Sequence, residues 1–332
     1  MKFSSLLNFA ATALTVFKTS EAAYSATGKN NAVYWGQGSG QESLATYCKA
    51  GNIDIVMLSF LRDWDASSAS FNFGNACGTD GTCPQIAEDI VTCQNLGIKV
   101  LLSLGGDKTL GTYGVSSDAE GANAAKVIYN MFHPKGSASV KPFGTAEIDG
   151  LDFDIENDNQ NGLASLVVEI RKLWTTKTLL ISAAPQCPYP DKNVYKMLED
   201  KNAKVDIAWV QFYNNPACSF NNDAGFKSSW ATWYDFVTTK SGNSNMKIYI
   251  GVASSTSDSD YFVDASTTAT RSASMLTQKS FGGFCLWDAS SGTAKVTNGV
   301  TYIQSLKNIL ESKSVTKRFL NGINRAFTVI SP

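Results

Sequence analysis

The chain is 332 residues long, 43% hydrophobic and 17% charged, with 28 basic residues against 29 acidic ones and a net charge of −1. It holds ample apolar chain for a core, and it is too hydrophobic and too weakly charged for disorder. Without clustered basic charge it lacks an electrostatic means of binding nucleic acid, and a single histidine, His133, excludes a multi-histidine metal site.

Residues 1–22 read as a secretory signal. Lys2 gives the positive start, Leu6 to Phe17 is a short apolar run diluted by Asn8, Thr12 and Thr15, and Ser20 and Ala22 are small where a signal peptidase reads. The run is too short and polar to span a bilayer, so the expectation is a secreted protein, extracellular or in a cell wall, without a membrane anchor. Residues 23–311 then repeat one pattern. Short runs rich in Val, Ile, Leu and aromatics end in Gly, Ser, Asn or Asp: Asn31 to Gly38, Ile53 to Leu61, Lys99 to Gly106, Gly150 to Glu156, Thr178 to Pro185, Val205 to Asn214, Lys247 to Ser254 and Gly282 to Ala289. Segments of helical period lie between most of them, such as Gln85 to Leu96, Gly121 to Phe132, Gly162 to Trp174 and Trp230 to Thr238. Apolar strands alternating with helices predict a parallel sheet, and eight such units suit a single-domain α/β fold, the closed (β/α)8 TIM barrel. The alternative is an open doubly wound sheet, but no Gly-x-Gly-x-x-Gly turn follows the first strand. His133 sits before Pro134 and Gly136 and reads as the frayed end of a helix, without chemistry. Residues 312–332 form a tail whose one legible feature is the basic pair Lys317-Arg318.

Seven cysteines fit an oxidising compartment, and an odd number leaves one unpaired. Cys77 and Cys83 flank a tight polar loop that a bridge would close. Cys285, in the apolar run Phe284-Cys285-Leu286-Trp287, reads as the buried free thiol. No Cys-x-x-Cys spacing occurs, so no metal cluster is expected, and the reading calls for no cofactor.

The fourth run carries the chemistry. In Ile148-Asp149-Gly150-Leu151-Asp152-Phe153-Asp154-Ile155-Glu156, strand alternation puts Asp152, Asp154 and Glu156 on one face and Leu151, Phe153 and Ile155 on the other. In a barrel the apolar face packs on the helices, so the acids point inward. Three carboxyls so close in a partly dry interior cannot all ionise, and a proton retained near neutral pH is what a general acid needs. A calcium site is the competing reading of these oxygens, but Phe and Ile between the acids do not make a calcium loop.

The run from Asp149 to Glu156 resembles the Asp-x-x-Asp-x-Asp-x-Glu signature of glycoside hydrolase family 18, the chitinases. Tyr34-Trp35-Gly36-Gln37, Ser103-Leu104-Gly105-Gly106, Ala183-Ala184-Pro185-Gln186-Cys187-Pro188, Gln211-Phe212-Tyr213-Asn214-Asn215 and Gly282-Gly283 to Trp287 extend the resemblance to the plant and yeast class III group. It covers about Asn31 to Leu310. Two places bordering the expected cleft depart from the family pattern: Asp107-Lys108-Thr109, where relatives keep small residues, and Val252-Ala253-Ser254-Ser255, where relatives carry a Leu-Pro.

The resemblance implies hydrolysis of β-1,4-linked N-acetylglucosamine in chitin or chitooligosaccharides by a monomer. Configuration is retained because the substrate's own acetamide attacks and forms an oxazolinium ion. Glu156 would be the acid and base, Asp154 would orient the acetamide, Asp152 would share a proton with Asp154, and the Tyr213 hydroxyl would bind the acetamide oxygen. Tyr34, Gln37, Phe60, Gly106, Gln211, Asn214 and Trp287 form the implied sugar-binding set, with Trp287 as the floor under a pyranose ring. The implied disulfides are Cys48–Cys93, Cys77–Cys83 and Cys187–Cys218. Non-proline cis peptides are implied at Ser59–Phe60 and Trp287–Asp288. Two rival functions use the same barrel: a lectin-like or storage protein that has lost catalysis, and an endo-acting enzyme that cuts N-glycan cores.

Overall fold

Strands that are apolar on both faces can be buried only between two layers, and that is where these runs lie. The computed structural model describes residues 23–311, apart from residues 75, 79, 159, 160, 257 and 258. Strand β1 (Asn30–Trp35) is followed by β2 (Ile55–Trp64), and a short β3 (Ala69–Phe71) folds back antiparallel on β2. Then come β4 (Lys99–Gly106), β5 (Gly150–Ile155), β6 (Leu180–Ala183), β7 (Ile207–Gln211), β8 (Lys247–Ala253) and β9 (Phe281–Trp287). All but β3 run parallel, and β1 pairs with both β2 and β9, which closes the expected (β/α)8 barrel. The helices between strands are α1 (Leu44–Lys49), α2 (Pro84–Asn95), α3 (Asp118–Phe132), α4 (Leu163–Leu173), α5 (Tyr195–Glu199), α6 (Asp223–Thr239), α7 (Ala265–Ser272) and α8 (Ala289–Ala294), and residues 302–311 are also helical.

The two-residue period of the strands divides the molecule into two cores. Val56, Leu58, Val100, Leu102, Leu151, Phe153, Ile248 and Ile250 face outward and pack with the helices, where Trp230 and Trp233 of α6 are also buried. Ala32, Tyr34, Ile55, Met57, Leu101, Ile207, Trp209, Tyr249 and Cys285 fill the barrel interior. Helix α6 starts seven residues before the Trp230 expected from periodicity, because Asn222 caps it by accepting the Gly225 N–H at 3.1 Å. Phe226, buried one turn before Trp230, extends the apolar period of this helix back towards the cap.

At the barrel's N-terminal face, Lys307 meets both oxygens of Asp54, at 2.7 and 2.8 Å, and Asp54 also accepts the Asn31 N–H at 2.7 Å. This ties the last described helix to the starts of β1 and β2. The disulfides are Cys48–Cys93, Cys77–Cys83 and Cys187–Cys218, with Cys285 a buried free thiol. Ser59–Phe60 and Trp287–Asp288 are cis, as is Tyr189–Pro190.

His133 is not frayed. It caps α3 at 2% exposure, stacked on Tyr129 at 4.5 Å. Its Nδ1 accepts the Lys135 N–H at 3.0 Å, which leaves Nε2 to face Thr176 at 3.2 Å and Glu147 at 3.6 Å. The residue is a buried structural link. Among the described residues no helix is long and apolar enough to cross a membrane. The signal reading of 1–22 and the tail reading of 312–332 lie outside the described residues.

Candidate active site

Asp152 and Asp154 on β5 point into the barrel, and Glu156 stands one residue beyond the strand, at its C-terminal mouth. Asp152 is fully buried and accepts four hydrogen bonds: from Ser182 Oγ (2.6 Å), Trp209 Nε1 (2.9 Å), Ser103 Oγ (2.7 Å) and Tyr34 Oη (2.9 Å). Burial pushes its pKa up, and these bonds hold the rise down. All four acceptor positions of Asp152 are already filled.

The direct link is between the other two acids. Gln211 Nε2 lies 2.9 Å from Asp154 Oδ1 and 3.4 Å from Glu156 Oε1. Asp154 is held well above the usual carboxylate range, first by burial and then by the charges of Glu156 and Asp152. Glu156 is also raised, mainly by burial, with Asp107 and Asp191 adding to the shift and Gln211 and Lys108 opposing it. Lys108 and Asp107, which directly follow β4, thus act in opposite senses on the charge balance at the mouth. Tyr213 lies two residues past β7 on the same parity as Trp209 and Gln211, half-buried, its hydroxyl raised by burial and by Asp154.

The apolar side of the mouth is three rings. Phe60 and Trp287 stack at 5.7 Å and 18°, and Tyr34 tilts against both, at 6.1 and 5.4 Å. Phe60 is only 6% exposed, so it supports Trp287 more than it walls an open cleft. Gly105 and Gly106 make this packing possible. Both have positive φ, a Cβ on Gly105 would stand 2.3 Å from the Asp154 carbonyl, and one on Gly106 would meet the Phe60 ring at 2.9 Å. Gln37 spends its Nε2 on the carbonyls of Gly36, Ser59 and Asn72 and so ties β1 to the β2–β3 hairpin. Asn214, exposed and at φ +59°, accepts from Ser259 Oγ at 2.7 Å.

Three participants escaped sequence reading. Ser103 and Ser182 share strand parity with the barrel interior, a signal the alternation of β4 and β6 carried. Tyr113 lies in the β4–α3 loop, where no periodicity points to it.

A (β/α)8 barrel with an inward acid strand ending in a glutamate, backed by stacked aromatics, is the architecture of a glycosidase. The chain belongs to the family described as Glycosyl hydrolases family 18, which matches residues 30–317. It is 45% identical over 298 residues to an endochitinase of Saccharomyces cerevisiae, which covers 86% of this chain and 51% of that protein. Among solved structures it is similar to the ICChI chitinase from Ipomoea carnea (TM-score 0.73, 27% identity, 84% of this chain and 98% of that one). It is also similar to the xylanase and alpha-amylase inhibitor protein XAIP-II from Scadoxus multiflorus (TM-score 0.72, 26% identity, 85% and 97%). The chain spans about half the length of the curated relatives it matches.

Proposed function

We propose that this barrel hydrolyses β-1,4-linked N-acetylglucosamine in chitin and chitooligosaccharides with retention of configuration. The observation that carries the reading is the Asp154–Gln211–Glu156 cluster, in which one amide reaches both carboxyls. Glu156, its proton held by burial, protonates the glycosidic oxygen and then, as carboxylate, activates water. The substrate's acetamide oxygen attacks the anomeric carbon, so no carboxylate nucleophile is needed. Asp154 accepts the acetamide N–H and stabilises the positive oxazolinium ion, and the Tyr213 hydroxyl donates to the acetamide oxygen. Asp152, fixed by four donors, raises Asp154 from below. Trp287 lies under the sugar, with Tyr34, Phe60 and Gly106 supporting that surface, while Gln211 and Asn214 line the other side.

The proposal includes the division into residues 1–22 as signal, 23–311 as catalytic barrel and 312–332 as a tail. It also includes secretion and action as a monomer on a polymer outside the cell. The rival is a binding protein, as the name of the Scadoxus neighbour describes for that molecule. Glu156 separates the two. The test is hydrolysis of chitin oligomers in heavy-oxygen water, with anomer analysis of the products. Wild type should yield the retained anomer, and Glu156→Gln should bind oligomers but lose turnover. Inverted product, or a Glu156→Gln variant with a tenth of wild-type turnover, would overturn the assignment.

A further inference from the structure

We propose that Tyr113 is the positioning residue for Glu156, an inference that rests on the hydrolase reading above. The β4–β5 ladder ends at the pair Gly106 and Ile155, so the Glu156 N–H has no strand partner. The Tyr113 hydroxyl supplies the missing rung. It donates its one proton to the Gly106 carbonyl at 2.5 Å and accepts the Glu156 N–H at 3.0 Å. Asn157 Nδ2 adds a second tie, donating to the Tyr113 carbonyl at 2.8 Å. The Glu156 backbone N–H and the side chain of the next residue are therefore both fixed to one residue.

That residue is itself held. Tyr113 is 7% exposed and stacks on Trp64 at 6.1 Å and 13°. The Trp64 N–H donates to Thr112 O and the Gly114 N–H to Trp64 O, each at 3.1 Å. The chain is thus locked from the β2 edge through Tyr113 to Glu156. Proton transfer depends steeply on donor–acceptor placement, so a rung at this point acts on chemistry more than on sugar affinity.

Tyr113→Phe keeps the ring stack and removes the rung. The kcat on chitooligosaccharides should fall about ten- to a hundredfold while KM stays within about twofold. The basic limb of the kcat–pH profile should move to lower pH, because a freed Glu156 reaches more water and burial is what retains its proton. Unchanged kcat, or a fall in kcat per folded molecule with the limb unmoved, would assign Tyr113 a structural role and overturn the proposal. If the phenylalanine variant does not fold, Asn157→Ala decides: a limb shifted in the same direction supports the proposal, and an unmoved limb overturns it. An inactive wild type or an active Glu156→Gln fails the functional reading and takes this one with it. An active wild type with an unaltered Tyr113→Phe fails this one alone.

Discussion

The hydroxyl of Ser254 brackets the peptide that follows Trp287, donating to the Trp287 carbonyl at 2.8 Å and accepting the Asp288 N–H at 3.0 Å. Ser254 is fully buried, and its own N–H also donates to the Trp287 carbonyl at 2.8 Å. The end of β8 thus holds the backbone on which the Trp287 ring is mounted.

Ser254→Ala should therefore weaken sugar binding before it slows chemistry. KM for chitooligosaccharides should rise several-fold with a smaller change in kcat, and stability should drop by about 1–3 kcal/mol because the Asp288 N–H loses its hydroxyl partner while the Trp287 carbonyl keeps the Ser254 N–H. Ser254→Thr, which keeps the hydroxyl, should restore KM. Steady-state kinetics on the three proteins, with tryptophan fluorescence titration, checks this. An unchanged KM in the alanine variant would break the link between Ser254 and Trp287.

The acid cluster should cost stability at neutral pH. Asp154 and Glu156 keep protons to higher pH in the folded chain than in the unfolded one. The native state therefore binds more protons between the ordinary carboxylate range and the raised values, and stability falls as pH rises through that window. Asp154→Asn, which can still accept from Gln211, should unfold at a higher temperature than wild type at pH 7. Its advantage should shrink towards pH 4, where wild type holds its protons. Thermal scans across that range read the sign directly, and a destabilised variant at pH 7 would contradict it.

Lys307→Met removes the cation facing Asp54, whose carboxylate is 1% exposed. Leaving a buried charge without its partner costs about 3–5 kcal/mol. Urea unfolding should show that loss, while kcat of the remaining folded enzyme stays unchanged because the pair lies at the end of the barrel away from Glu156. A loss under 1 kcal/mol would mean that the pair contributes little to holding the last helix.

Cys285 lies inside the barrel beside Asp152 and Asp154, and burial and those charges push its thiol pKa well up. Among the described cysteines it is the one free thiol. A thiol reagent should titrate one group on the unreduced protein in denaturant and almost none in the native state over the same time. Rapid native labelling would show that the interior opens.

The barrel was legible because its strands are apolar on both faces, and the acid strand because three carboxylates on one face violate that pattern. The cap at Asn222, the hairpin strand β3 and the short helices α1 and α5 were not legible, since local polar contacts rather than periodicity make them. Phe60 and Gln37 show a subtler limit. Resemblance placed both at the sugar, and the structure adds that Phe60 stacks on Trp287 and that Gln37 Nε2 also binds backbone carbonyls. Position along a strand end does not reveal which neighbour claims a side chain first. Tyr113 was invisible because it lies in a loop without periodicity and its hydroxyl pairs with backbone atoms at the ends of β4 and β5.

The four donors to Asp152 come from β1, β4, β6 and β7, so with β5 a single carboxylate fastens five of the eight staves of the barrel. Glu156, past the end of its strand, has one side-chain hydrogen bond among the described residues, at 3.4 Å. The two acids are thus unequal in what the fold demands of them. On the proposed function, losing Glu156 would remove the acid from the rim, whereas losing Asp152 would orphan a tyrosine, a tryptophan and two serines at the centre. A lineage that gave up hydrolysis could discard the first by one substitution and would need to rebuild the interior to discard the second, so silent members of such a fold should still carry the deep aspartate.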